Sequence, residues 1–463
     1  MVKCDVARGN TCRTVKVALA IPALTSSTSL VTWGLEFHQP QKAQCTEKRQ
    51  YRADHRVHST ARSVSTAMEQ AKEITATNDW KTESDPRQAG WLFVQELLQN
   101  NKDSKTLCLT LDIRDDKESQ DRALVSFYRR DYIQWASPLE CKLQGDIATG
   151  SGVQRHLMSM VIFRLTSGFH VNLGSAAITK LFEGEPDHLI PSISDGLLDN
   201  NMFAMAGRII GHSFLHHGPS FPGLSQAIIH TLFGGSLETT PITVQDCPDL
   251  DVRDIVTMLS EDDEINNLDT INQLCVQWNL PTPNDANRKW LSDKLLFHAV
   301  IERTRDQINQ FQRGLQDTGL WPLLIHRREI IPILFPREAE TQVTSQMLLD
   351  CITWPCSTTV IFEEYEAVHF DERDLEDTSR VSSFLKNFIE TESSDELKSL
   401  IRFWIGWEVP AAEMKVEIVE GVLPTAVTCF EKLRLPRHYT EYSKFRLDLR
   451  ACISSSWSGF GCT

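Results

Sequence analysis

The sequence predicts an α+β, bilobal protein: a large, mainly helical N-terminal lobe followed by a small mixed α/β C-terminal lobe. Three observations predict it. Apolar residues recur at helical spacing from Trp91 onward, an acidic run breaks the pattern near residue 370, and an apolar alternation of period two appears near the C-terminus. At 463 residues, 41% of them hydrophobic, the chain can bury more than one core. The net charge of −15 argues against a nucleic-acid grip, which needs concentrated Lys and Arg. No stretch approaches the roughly 20 apolar residues of a membrane-spanning helix.

Residues 1–87 are rich in Ser, Thr, Gln, Lys and Arg, show little apolar periodicity, and read as a poorly structured leader. Within it, Lys3, Arg8, Arg13 and Lys16 ahead of a short apolar run at 17–24 outline a signal peptide, although Pro22 interrupts that run. The twelve cysteines argue for a different compartment. They are dispersed, without any Cys-x-x-Cys, so neither a zinc framework nor a redox pair is indicated. Dispersed thiols in so long a chain fit the cytosol or nucleus.

The large lobe is expected over 88–362. Val153, Leu157, Met160, Val161 and Leu165 form a helical stripe opened by the turn Gly150-Ser151-Gly152. Leu198, Met202, Met205, Ile209 and Phe214 form a second, stopped by Gly218-Pro219. A short helix over 226–233 ends at Gly234-Gly235. A long one starts near Asn284, carries Phe297, Ile301, Thr304, Ile308, Phe311 and Leu315, and ends at Gly319. His212, His216 and His217 fall at a helix end among apolar residues, which suits core or cap histidines better than metal ligands.

The acidic stretch 363–379 reads as a solvated hinge, and 380–463 as the small lobe. Ser379 is placed to cap a helix carrying Val381, Phe384, Leu385 and Phe388. Ser393 with Glu396 makes a capping-box start for the next, which Gly406 ends. Met414, Val416 and Ile418 alternate with Lys415 and Glu417 as a half-buried strand does. Thr440 is expected to cap a last helix carrying Phe445, Leu449, Cys452 and Ile453, with Cys429 on a loop between strand and helix.

The stretch Leu423-Pro424-Thr425-Ala426-Val427-Thr428-Cys429-Phe430 carries the functional signal. A lone Cys among Ala, Val and Phe is by itself as compatible with an inert buried thiol. Here Leu433, Leu435 and Pro436 follow, and the chain ends in Ser458-Gly459-Phe460-Gly461-Cys462-Thr463. Loop and tail together resemble the active-site loop and C-terminus of HECT-type E3 ubiquitin ligases. The likeness extends to Gly150-Ser151-Gly152-Val153-Gln154-Arg155, Leu181-Phe182-Glu183-Gly184, Met202 to Arg208, His212 to His216, and Phe403 to Glu408. It covers 88–463.

The resemblance implies a bilobal HECT domain in which Cys429 carries ubiquitin as a glycyl thioester. It makes Thr428 a support of the loop and Phe460 a tail aromatic that orients the loaded lobe. The implied partners are an E2 ubiquitin-conjugating enzyme, ubiquitin and a protein substrate, with no cofactor, no nucleic acid and no membrane. A free thiol is only a few per cent ionised at neutral pH, so its supply of thiolate matters. Lys432, Arg434, Arg437 and His438 could favour the anion or be ordinary surface charges. Glu431, His438 and Asp448 are candidates to take the proton of an attacking lysine.

Two departures leave a second reading open. Val427 stands where many HECT ligases have His. The segment 244–284 also looks too short for the strand pair of the E2-receiving subdomain. The alternative is a catalytically inactive HECT-like module that binds ubiquitin, an E2 or another protein.

Overall fold

Asp85 caps helix α1 (Pro86–Asn100) by accepting the Arg87 N–H at 3.1 Å, with a Pro at the first position, where its missing donor costs nothing. The computed structural model describes residues 79–146, 148–172, 178–261, 268–355 and 372–455. The expected leader to residue 78, the acidic residues 363–371 and the tail with Phe460 therefore lie outside the described residues. The fold reaches back further than expected: Trp80 is buried, its ring 4.9 Å from that of Phe93. Arg327 donates to the Glu83 carbonyl at 2.7 Å. One buried aromatic is enough to anchor a stretch whose polar composition reads as leader.

Strand β1 (Leu107–Asp112) pairs in parallel with β2 (Leu139–Gln144), and helix α2 (Lys117–Tyr128) makes the crossover. Helix α3 (Ser151–Ser167) follows and is buried on nearly every side. A short antiparallel pair, β3 (Phe182–Glu183) and β4 (Ile190–Pro191), leads to α4 (Met202–Leu215) and α5 (Gln226–Leu232). Between 244 and 284 the described residues hold α6 (Leu250–Ser260) and α7 (Leu268–Gln277) and no strand.

The expected long helix is broken. Helix α8 (Arg288–Phe297) loosens into a π turn at His298–Glu302 and resumes as α9 (Arg305–Asp317). At the break the Thr304 hydroxyl donates back to the Val300 carbonyl at 2.6 Å. Helices α4 and α9 pack backbone to backbone. A Cβ on Gly314 would stand 2.0 Å from the Ala204 carbonyl oxygen, and one on Gly207 2.4 Å from that of Phe311. The large-lobe core surrounds this pair.

The second core is a separate cluster and starts earlier than expected, with Val343, Leu348 and Ile352. They pack with Val381, Leu385 and Phe388 of α10 (Glu372–Thr391) and with Leu397, Leu400 and Trp404 of α11 (Ser394–Ile405). The last residues of the expected hinge, 372–379, form the first turns of α10, so Ser379 lies inside the helix and does not cap it. Acidic residues suit a helix N-terminus. Here the Thr378 hydroxyl donates to the Asp374 carbonyl at 2.6 Å and Arg380 pairs with Asp377 at 2.5 Å. Ser393 does cap α11, accepting the Glu396 N–H at 3.4 Å.

Four strands finish the lobe in the order β5-β6-β8-β7. Strand β6 (Met414–Val419) lies parallel to both β5 (Ile352–Thr353) and β8 (Lys432–Pro436). Strand β7 (Thr425–Val427) runs antiparallel to β8. Met414, Val416, Leu433 and Leu435 face inward, while Lys432 and Arg434 meet Glu417 on the outer face at 2.5 and 3.1 Å. Helix α12 (Tyr442–Ser455) starts two residues beyond Thr440 and buries Phe445, Leu449 and Ile453.

Candidate active site

Cys429 occupies the tip of the β7–β8 hairpin, in a single 3-10 turn, Thr428–Phe430. It therefore lies between two strands rather than between a strand and the last helix. Glu431 closes the turn in the left-handed region at φ 51°, which lets β8 start at once. The turn has an inner and an outer side. Thr428 is 8% exposed, Phe430 is 66% exposed, and the Cys429 thiol is half-buried between them.

The inner side is made by the large lobe. The Cys429 Sγ donates to the Thr149 carbonyl at 3.2 Å. Gly150, at φ +92°, turns the chain into α3, and the first helical turn then lies directly against Cys429. A Cβ on Gly152 would stand 2.1 Å from Thr428 Oγ1 and 3.3 Å from Cys429 Sγ, so only glycine permits this approach. One turn further in, Arg155 donates from Nη2 to the Thr428 carbonyl at 2.7 Å and from Nη1 to Glu431 Oε1 at 2.8 Å.

The end of α11 and the segment after it complete the surround. Trp404, fully buried, donates its indole N–H to the Glu431 carbonyl at 2.8 Å. Gly406, at φ +97°, abuts the Gly152 carbonyl. Glu408 accepts the Ser159 hydroxyl at 2.6 Å and pairs with Arg402. Burial lowers the Arg402 guanidinium to about 9. Burial, with Arg402 nearby, pulls neighbouring His156 down to about 4, so it is neutral at pH 7.

The basic residues downstream of Cys429 are engaged with carboxylates. Lys432 and Arg434 share Glu417, and Arg437 pairs with Asp374 and Glu420. The His438 ring lies 4.3 Å from that of Tyr439. Of the three proton-acceptor candidates, Glu431 belongs to the turn itself. Asp448 accepts from the Tyr439 hydroxyl at 3.1 Å and from Lys444 at 3.2 Å on α12. His212 lies in the large-lobe core, its Nδ1 3.0 Å from the Tyr128 hydroxyl.

The structure thus brings together Cys429, Thr428 and Glu431, with Phe460 outside the described residues. The expectation from sequence missed the contributions of Thr149, Arg155 and Trp404. One signal was available: Arg155 follows the Gly-x-Gly turn by three residues, the spacing that sets it one helical turn behind Gly152 on the same face.

Compared with known proteins, residues 169–463 match the HECT-domain (ubiquitin-transferase) model, well over half of the chain. A G2/M phase-specific E3 ubiquitin-protein ligase from Gallus gallus is 24% identical over 191 residues, covering 40% of this chain and 25% of the relative. Proteins of that name from Macaca fascicularis and Homo sapiens are 26% and 27% identical over 149 residues, 31% of this chain and 21% of each relative. The chain spans a quarter or less of the length of these relatives.

Proposed function

The chain belongs to the HECT-domain (ubiquitin-transferase) family, and on that footing we propose that it is an E3 ubiquitin-protein ligase working through Cys429. In the first transfer the Cys429 sulfur attacks the thioester carbonyl of ubiquitin on an E2 enzyme. The new S–C bond forms, the old one breaks, and the E2 thiol leaves. One thioester replaces another, so the step is close to thermoneutral and rests on alignment and thiolate supply. In the second, a substrate lysine amine attacks, the C–N bond forms, the C–S bond breaks, and one amine proton ends on the Cys429 sulfur.

The observation that carries this reading is the half-buried Cys429 thiol at a hairpin tip, gripped by both lobes rather than sealed in either core. Thr428 supports the loop by packing on Gly152 and offering its carbonyl to Arg155. Phe460 is assigned to the second transfer on resemblance alone. The seven described cysteines are all free, which supports a reducing compartment, the cytosol or nucleus.

The test is incubation with E1, a panel of E2 enzymes and ubiquitin, read on a non-reducing gel beside Cys429→Ala. A DTT-sensitive adduct absent from the variant supports the ligase. Phe460→Ala should then load normally and fail to pass ubiquitin on. The large-lobe wall against Sγ favours a second reading, a non-catalytic module binding ubiquitin or an E2. Absence of any adduct from folded protein would refute the ligase and leave that module as the reading to test by direct binding.

A further inference from the structure

Arg155 grips the Cys429 turn on both sides of the thiol. Its Nη2 holds the carbonyl of the residue before the cysteine at 2.7 Å, and its Nη1 the carboxylate two residues after it at 2.8 Å. Both anchors are in the other lobe, more than 270 residues away in sequence. The guanidinium is itself fixed: Nη2 also lies 3.4 Å from Ser151 Oγ, and the Trp407 ring is 5.7 Å away.

We infer that Arg155 is a positioning residue for the second transfer and takes no part in the first; the inference rests on the ligase reading above. The two transfers must show the same sulfur to two different partners. In the docked turn Sγ is 3.2 Å from the Thr149 oxygen, and a Cβ on Gly150 or Gly152 would stand 3.4 or 3.3 Å from it. That wall excludes the broad active-site surface of an E2 from the α3 side, so loading has to occur with the turn released. A lysine amine on its slender stem needs far less space. Once the thiol is acylated, its S–H no longer occupies the Thr149 carbonyl, which then faces the thioester and can accept an N–H of the incoming amine. The attack forms C–N, breaks C–S and leaves the thiol protonated by the amine, so Arg155 acts only by fixing where the thioester sits.

The experiment uses the full chain in two single-turnover assays: loading of Cys429 from a ubiquitin-charged E2, and discharge of the loaded protein onto free lysine. Arg155→Gln is expected to load at least as fast as the wild type and to discharge roughly 10- to 100-fold more slowly. Arg155→Lys, which can keep one of the two contacts, should recover part of that loss. Glu431→Gln, at a side chain 35% exposed and safe for folding, should show a smaller loss confined to discharge. Equal slowing of both steps, unchanged discharge in both Arg155→Gln and Glu431→Gln, or faster discharge would overturn the assignment. If Arg155→Gln does not fold, Arg155→Lys, which keeps the buried charge and loses one contact, decides between these outcomes. No adduct on the wild-type chain takes down the ligase reading and this inference with it, a result distinct from loading without the discharge defect.

Discussion

Replacing Gly152 with Ala should open the Cys429 turn without harming the helix that bears it. The added Cβ would stand 2.1 Å from Thr428 Oγ1 and 2.9 Å from Thr428 Cβ, where about 3.4 Å is an ordinary contact. The turn therefore has to retreat by roughly 1 Å or the lobes must part. Forcing one extra carbon into a packed contact costs about 1–3 kcal/mol. If that cost falls on docking, the undocked population rises roughly 5- to 150-fold. Ala is also a better helix former than Gly by about 1 kcal/mol, so α3 itself gains. The assay is alkylation of Cys429 by iodoacetamide under pseudo-first-order conditions, with the adduct located by peptide mass spectrometry. Exposed Cys108 serves as the internal reference. Cys429 alkylated at the wild-type rate in folded Gly152→Ala protein would refute the reasoning, because the docked turn would then not limit access to the thiol.

Acidification should loosen the same interface through His156. Its folded-state value near 4 lies below the usual 6.5, so the unfolded chain binds more protons between the two; stability is complete above pH 6.5 and falls by up to about 1.4 kcal/mol per unit below it. Unfolding free energies from pH 7 to 5 should show this slope, and His156→Gln should flatten it. Trp404→Phe leaves the Glu431 carbonyl without its indole donor and should destabilise the small lobe by about 1–3 kcal/mol in urea unfolding, with faster Cys429 alkylation. Arg208→Met removes a buried guanidinium bound to Asp317, Asp131 and the Tyr128 and Arg130 carbonyls; a large-lobe loss of about 3 kcal/mol is expected by chemical denaturation.

Much of this architecture was legible wherever one local rule dominates. The apolar stripes of α3, α4, α5 and α11, the Ser393 cap and the β6 alternation appear as expected because each is set within one or two turns of chain. Strand β8 went unread although Leu433 and Leu435 alternate with Lys432 and Arg434. Five residues next to a cysteine loop are too few for the period to stand out, and the parallel pairing with β6 that fixes them is non-local. The last part of the acidic stretch, 372–379, misled for a related reason. Charge density looks like solvent exposure, yet at the start of α10 it complements the helix dipole and the Asp377–Arg380 pair. At the candidate site, Cys429 and Thr428 stood out in the sequence as a motif. Arg155, Trp404 and Thr149 did not, since their partners lie in other elements.

On the proposed ligase reading the Cys429 thiol meets two partners in turn and needs a resting place that is specific and weak, and the interface around it has that character. The two apolar cores are separate clusters, so parting the lobes exposes neither of them wholesale. Hydrogen bonds across the junction include the Sγ–Thr149 bond, the two from Arg155, and the Ser159–Glu408 bond. Each is worth about 0.5–1.5 kcal/mol net, somewhat more where a charge is involved, because water replaces it on release. Their sum is a few kcal/mol, the range in which docked and released states coexist and a bound partner can shift the balance. A junction built from Leu and Phe would hold the thiol more firmly and would have to break a core to release it. Gly150 and Gly152 give specificity without that apolar burial: they let the turn approach closely enough for short hydrogen bonds while adding no side chain to desolvate.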